Sequence, residues 1–328
     1  MPYTNHANIP LSVAVWLVTK DYNLEWQPYQ FSVTDLIKST RQIVLRHRMA
    51  WDAKTKGTPQ EPIDLVSLVP AQMGTAVHAA IEKAWATNAK QALIELGTPR
   101  RVANAVQINP EVEDPDSIPV YMEKRSFTTI GRYTVSGQFD FVIEGQLEDF
   151  KNTSVMTYQN QSKDREYRLQ GSMYRWLNSK IITKDVFNIN YIFTDFNARM
   201  ANTEGYPKAR IQAYPIRLMS VAETDTWVRS KLAEFEKYEN TPEPQLPHCT
   251  KEELWQKDPV FKYYSNPSNT TGRSTKNFDS ASEAHAHMSK AGKGIVIETK
   301  GEVVACKYCS CFSVCTQKDL LIEQGLLR

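Results

Sequence analysis

Three consecutive stretches of period-two alternation, at 121–130, 132–144 and 146–155, constrain this chain more than any other feature of its sequence. Successive side chains of a strand point to opposite faces, so such alternation predicts strands. Glu144-Gly145 separates the second stretch from the third and reads as the tight turn of a hairpin. Helical periodicity brackets this meander. MGTAVHAAIEKAWATNAKQALIELG precedes it and ends at Gly97, and DREYRLQGSMYRWLNSK (164–180) follows it. Two more strand-like stretches lie at 187–196 and 209–218, then a helix at 221–240 that the proline-rich TPEPQLP stops. Helices, meander, helix, strands and helix in that order predict an α/β core with a mixed central sheet flanked by helices.

The flanks are less regular. Residues 32–50 read as one capped helix, with Ser32 or Thr34 as N-cap and apolar positions at Leu36, Ile37, Val44 and Leu45. Its Lys38, Arg41, Arg46, His47 and Arg48 form either a solvated face or a phosphate contact. Residues 57–70, broken by prolines, read as a loop, as do 109–119, and beyond 241 the chain is short of regular pattern. The first 23 residues hold a short apolar patch without a basic leader or clear cleavage site, so no signal peptide is expected. No stretch approaches the ~20 apolar residues of a membrane span, so no membrane partner is expected. With 328 residues, 41% of them hydrophobic, the chain can bury the core of one large domain or of a domain with an appendage. A net charge of +2 neither demands nor excludes nucleic acid, because overall balance can hide a basic groove around an acidic site.

The chemistry concentrates in the hairpin. Gly137-Gln138-Phe139-Asp140 is followed by Asp149-Phe150-Lys151, and the turn between them can bring Asp140 beside Asp149. In a strand Asp149 and Lys151 share one face. Two neighbouring carboxylates are costly unless neutralised, and hard oxygen ligands suit Mg²⁺ or Mn²⁺, with the Phe150 carbonyl able to complete the shell. A metal so held activates water against a phosphate, and Lys151 would position water or phosphate or stabilise transition-state charge. A salt-bridged surface hairpin is the alternative. Upstream, Gly74 to His78 lies early on a helix and His78 can supply a nitrogen ligand; downstream, Gln170 and Tyr174 share a helix face at i, i+4.

The order G-x-x-x-H, G-x-x-D, D-x-K, Q-x-x-x-Y, from about Ser32 to Tyr174, resembles the RecB-type branch of the PD-(D/E)XK nucleases. The resemblance implies a restriction-endonuclease-like core. It makes His78, Asp140 and Asp149 metal ligands and Lys151 the catalytic lysine, with Gln170 and Tyr174 beside the site engaging DNA. Glu123 falls where many relatives carry an acidic residue.

All five cysteines, Cys249, Cys306, Cys309, Cys311 and Cys315, lie after residue 248, a clustering that reads as metal ligation in a reducing cytosol. Cys306, Cys309 and Cys315 form C-x2-C-x5-C, Cys249 is the natural fourth ligand, and Cys311 is spare. A Cys₄ set fits a [4Fe–4S] cluster or tetrahedral zinc. The C-x2-C-x5-C tail resembles the iron–sulfur nucleases of the same branch, AddB-type subunits and CRISPR-adaptation exonucleases. Their fourth cysteine lies upstream of the nuclease core, whereas none precedes Cys249 here. HCTKEELW followed by a YC and a final C is more similar to standalone phage-encoded nucleases of this superfamily.

Lys163, Arg165, Arg168 and Arg175 around the Gln170–Tyr174 helix, with Lys124, Arg125 and Arg132 on the strands, can track a phosphate backbone. Tyr158, Tyr167, Tyr174 and Trp176 can stack on bases or pack in the core. The expectation is a nuclease core over 1–240 with an N-terminal helical part, and a cysteine-bound metal module over 241–328. Its expected activity is that of a metal-dependent deoxyribonuclease, an exonuclease on linear or single-stranded DNA, in the cytoplasm (the host's if phage-encoded) among replication or recombination proteins. A catalytically silent DNA-binding protein, or a zinc-organised interaction protein on a nuclease fold, is the rival reading.

Overall fold

The computed structural model describes residues 3–19, 25–57, 62–112 and 114–327. The chain divides into two compact units, residues 1–37 with 52–232 and residues 38–51 with 233–328.

The first unit begins with β1 (Tyr3–Thr4), α1 (Leu11–Val18), β2 (Gln30–Ser32) and α2 (Val33–Leu36). Of the two expected caps, Ser32 and Thr34, it is Ser32 that caps α2: its Oγ accepts the Asp35 N–H (3.1 Å) while the Asp35 carboxylate accepts the Ser32 N–H (3.1 Å). The single helix expected over 32–50 is nevertheless two. The chain breaks at 37–39 and restarts as α3 (Thr40–Lys56), where Ser39 Oγ accepts the Gln42 N–H (3.1 Å). Serine bonds nearby backbone and so favours caps over helix interiors.

After β3 (Ile63–Asp64) comes α4 (Leu65–Glu95), which replaces the second half of the expected loop; residues 58–61 lie outside the described residues. Asp64 accepts the Val66 N–H (3.1 Å) and starts the helix ahead of Pro70. An internal proline costs about 3 kcal/mol. The remainder of this 31-residue helix and its packing on α1 offset that cost. The helix ends where expected: Gly97 adopts φ 90°, and the Gly97 and Thr98 N–H groups donate to the carbonyls of Ile94 (3.0 Å) and Leu93 (2.9 Å).

α5 (Arg100–Ala105) and β4 (Val106–Ile108), which the sequence did not announce, lead into the meander β5 (Ile118–Ile130), β6 (Tyr133–Ile143) and β7 (Gln146–Thr153). Then follow α6 (Val155–Asn160), α7 (Asp164–Leu177), β8 (Val186–Phe193), β9 (Ile211–Arg217) and α8 (Val221–Tyr238). The sheet runs β4-β5-β6-β7-β8-β9 with β2 also on β6, and it is mixed: β2–β6, β4–β5 and β7–β8 are parallel, the other pairs antiparallel. Glu144 (φ 47°) and Gly145 (φ 75°) make the expected hairpin turn, both left-handed as a two-residue turn of this hand requires. Trp85 and Leu93 of α4 pack on a cluster of Val106, Val120, Met122 and Phe141.

β6 has two neighbours along one edge. Gln30–Ser32 pair with Thr134–Ser136, while Phe141–Ile143 pair with Gln146–Glu148. The β6–β7 hairpin therefore closes over its first three residue pairs and then forks, and β7 continues along β8 alone.

In the second unit, β10 (Val260–Tyr264), β11 (Lys276–Phe278) and β12 (Ile295–Thr299) form an antiparallel sheet in the order β11-β10-β12, with α9 (Ala281–Ala291) against it and α10 (Gln317–Glu323) near the end. The chain beyond 241, expected to be short of regular pattern, thus carries a sheet and two helices. The strands are three to five residues long, too short for alternation to stand out. Leu254, Val303, Leu321 and Leu327 form a core against which Cys249 and Cys306 pack. The basic residues of α3 are not a uniform phosphate-facing stripe. Arg41 is buried, and Arg48 donates to the carbonyls of Tyr238, Glu239 and Thr241. Among the described residues, no helix is long and apolar enough to cross a membrane.

The motif glycines separate cleanly. A Cβ at Gly137 would meet the Leu177 and Val33 side chains at 2.8 Å, whereas nothing lies within 4 Å of one at Gly74. Gly137→Ala is expected to destabilise by about 1–3 kcal/mol through overpacking, while Gly74→Ala gains up to ~1 kcal/mol of helix propensity. Urea unfolding of both variants checks this; equal effects would refute the packing role of Gly137.

Candidate active site

Past the fork, the β7 backbone lacks a β6 partner, and side chains take its place. The Phe150 N–H donates to Asp140 Oδ2 (3.0 Å), and the Phe150 carbonyl accepts from His78 Nε2 (2.7 Å). Donation to a carbonyl puts the imidazole proton on Nε2 and leaves Nδ1 with a lone pair. Nδ1 faces Asp140 Oδ2 at 3.5 Å and Glu123 Oε1 at 4.0 Å. One ligand atom each from His78, Glu123 and Asp140 lie within 4.8 Å of one another, the one such group among the described residues. A ring nitrogen and two carboxylates suit Mg²⁺ or Mn²⁺, and an Nε2–H tied to a carbonyl orients the imidazole for ligation through Nδ1.

Glu123 joins through an unusual backbone. The β5–β6 ladder pairs Met122 with Phe141 and Lys124 with Phe139 but skips Glu123 opposite Asp140, and Glu123 adopts φ 48°. A left-handed non-glycine residue costs about 1–3 kcal/mol and persists only where its surroundings hold it. Gln138 Nε2 holds the Glu123 carboxylate (2.6 Å), and Arg125 Nη2 holds Gln138 Oε1 (2.7 Å). Sequence reasoning placed Glu123 only as an acidic position and assigned no role to Gln138. The available signal was spacing: Gln138 and Asp140, two apart on β6, share a strand face.

Asp149 stands apart from the three-residue group. It is 1% exposed and forms an ion pair with Lys151, while its Oδ1 is buried without a hydrogen-bond partner. Burial opposes the charge on Lys151, but the charges of Asp149 and Asp140 outweigh it and raise the lysine pKa, so the ammonium stays protonated. Its Nζ lies 5.6 Å from the centre of the Tyr167 ring. Burial, then the charge of Asp149, pushes the Asp140 carboxyl up; burial also raises Glu123, against the pull of Gln138 and His78. The cluster is thus short of positive charge, which a divalent cation would supply.

Gln170 Nε2 donates to the Tyr174 hydroxyl (3.0 Å), and burial, then the Asp149 charge, keeps that hydroxyl protonated. Two other aromatic candidates are engaged in packing. Trp176 Nε1 donates to Asp225 (3.1 Å), and Tyr158 packs edge-on against Tyr191, Phe193 and Tyr214. Arg165 and Arg168 are exposed. In the second unit all five thiols are free; Cys311 is buried and the other four are half-buried. No three of their sulfurs lie within 4.8 Å of one another.

No protein-family model matches the sequence, and no curated protein does. By structure the chain is similar to a phage-related exonuclease from Haemophilus somnus 129PT, at 12% identity over 65% of this chain and 94% of that one, with a TM-score of 0.37. It is also similar to an alkaline exonuclease from Laribacter hongkongensis, at 13% identity over 64% and 89%, with a TM-score of 0.35. That exonuclease in complex with dAMP matches with a TM-score of 0.31.

A raised carboxyl pKa means that the folded protein holds the Asp140 proton more tightly than the unfolded chain. The associated stability is full below the unfolded value of roughly 3.9 and is lost as pH rises through the folded value of about 7. Metal-free Asp140→Asn protein should therefore melt several degrees above wild type at pH 8 and close to it at pH 4. The same offset at both pH values in calorimetry would show that buried charge at Asp140 is not the cause.

Proposed function

We propose that the first unit is a metal-dependent DNA nuclease of the PD-(D/E)XK kind, RecB-type, acting as an exonuclease on linear or single-stranded DNA. The observation that carries this reading is the convergence of His78, Glu123 and Asp140 beside the Asp149–Lys151 pair. His78, Asp140 and Glu123 form the proposed donor set for Mg²⁺ or Mn²⁺; Asp149, outside that group, is proposed as a further ligand because its Oδ1 lacks a hydrogen-bond partner, and the second lone pair of the Phe150 carbonyl can add to the set. When bound, the cation supplies charge neutralisation at the attacked phosphate and acidifies water. Lys151, held protonated by Asp149, meets the negative charge that grows on the phosphate. Gln170 and Tyr174 line the DNA side. A role among replication or recombination proteins, in a phage or its host, agrees with this activity.

Cys249, Cys306, Cys309 and Cys315 are proposed to hold a [4Fe–4S] cluster, with zinc as the alternative. Four thiolates suit either group, since both take a Cys₄ set. Its role is structural, tying Cys249 to the 306–315 segment.

End-labelled linear and closed circular DNA, single- and double-stranded, incubated with Mg²⁺, Mn²⁺ or EDTA, tests the proposal. Metal-dependent loss of linear DNA is expected, falling at least 100-fold in Lys151→Ala and Asp140→Asn. Cleavage of circles would keep the chemistry and make the enzyme an endonuclease. No cleavage by folded protein in any lane would leave a binding protein on this fold.

A further inference from the structure

We propose that the first turn of α3 is the outer shell of the cysteine centre, with Arg41 as a positioning residue for Cys315 and Ser39 and Gln42 serving Cys249 and Cys309. This rests on the reading of the cysteines as metal ligands. Arg41 is 1% exposed, and its Nε donates to Cys315 Sγ at 3.2 Å. Ser39 Oγ, which accepts the Gln42 N–H, lies 3.2 Å from Cys249 Sγ, and its hydroxyl can donate to that sulfur once the thiol is a metal-bound thiolate. Gln42 Nε2 donates toward Cys309 Sγ at 3.7 Å. Three donors within four consecutive residues thus address three of the four ligand sulfurs, each a different one.

The cost of this arrangement argues for its purpose. A guanidinium taken out of water needs its donors satisfied. Most of Arg41 is satisfied by oxygen: Nη1 reaches the Leu246 carbonyl (2.9 Å), and Nη2 reaches the Glu243 carbonyl (3.3 Å), Thr316 Oγ1 (3.2 Å) and the Glu243 carboxylate, with which it forms an ion pair. Only Nε is spent on sulfur. A neutral thiol is a weak acceptor, a poor return for a buried charged donor, whereas a metal-bound thiolate is anionic and makes a charge-assisted bond. Four thiolates around a dipositive centre leave two negative charges in a half-buried site, which Arg41 and the positive end of α3 oppose. Hydrogen bonds to ligand sulfurs set the affinity and reduction potential of such centres. The full chain already brings donor and acceptor together across 274 positions of sequence.

The test uses full-length protein purified without oxygen. Iron, sulfide and zinc per chain are measured first, in wild type and Cys315→Ala. Metal in the wild type, depleted in Cys315→Ala, supports the underlying reading; a wild type with none of these overturns that reading and the outer shell with it. Arg41→Gln is then expected to release its metal to EDTA roughly 10–100-fold faster than wild type. Its sulfur-to-metal charge-transfer absorption should shift to longer wavelength, because a sulfur without its donor is a better electron donor. Glu243→Gln, which removes the ion pair but not the Nε–sulfur contact, should leave that absorption in place, as a merely structural role for Arg41 would not predict. If Arg41→Gln fails to fold, Gln42→Ala takes its place with a smaller shift expected. A metal-loaded variant with wild-type absorption and release rate overturns the proposal.

Discussion

The fork between β6 and β7 is the constraint on which the first unit depends. A hairpin that stayed closed would bury the Phe150 N–H and carbonyl in the ladder, and Asp140 and His78 would have no backbone to hold. β2 pairs with the far part of the β6 edge, and β7 stays paired with β8 on its other edge from Leu147 to Thr153. The two unpaired groups of Phe150 then fix two side chains from different elements, one on β6 and one on α4. A backbone group left without a partner costs about as much as a lost hydrogen bond, so the position of α4 relative to the sheet and the aim of its imidazole are settled together. The same bond that satisfies the carbonyl selects the tautomer that leaves Nδ1 toward the carboxylates.

Around that fork the chain accepts costs that the rest of the fold avoids. Glu123 sits in a left-handed conformation, Asp140 and Glu123 are pushed toward their neutral forms by burial, and Asp149 keeps one oxygen without a partner. Strain, repulsion and an orphan acceptor in one place are what a sequence carries where function overrides local consistency. The Arg125–Gln138–Glu123 chain shows how the strain is contained: a half-buried amide is oriented by a guanidinium so that its N–H groups face the carboxylate.

Local rules explain which parts were legible in the sequence. The Glu144-Gly145 turn, the Ser32 cap and the Gly97 stop are each set by residues within a few positions of one another, and each stands where the sequence puts it. Alternation gave the meander and a mixed sheet. Pro70 misled because propensity weighs one missing N–H, whereas α4 is held by long-range packing. Ser39 looked like a helix-interior residue because serine occurs both at caps and inside helices, and only the bond from the Gln42 N–H to its Oγ marks it as the cap of α3. The sheet of the second unit escaped because three- to five-residue strands carry too little period. At the site, D-x-K and the upstream histidine were readable as spacing, but the skipped ladder pair that turns Glu123 toward His78 leaves no mark in the sequence, since it arises from the pairing of β5 with β6.

The two units meet one electrostatic problem, clustered anionic ligands away from bulk water, in opposite ways. In the first, half-buried Lys151 is paired with Asp149, and burial pushes Asp140 and Glu123 toward their neutral forms. Such a grouping of a ring nitrogen and two carboxylates could hold a hard cation. In the second, a buried guanidinium is built against one sulfur and neighbouring polar groups against two others. Arginine does not give up its proton, so that charge is fixed into the fold.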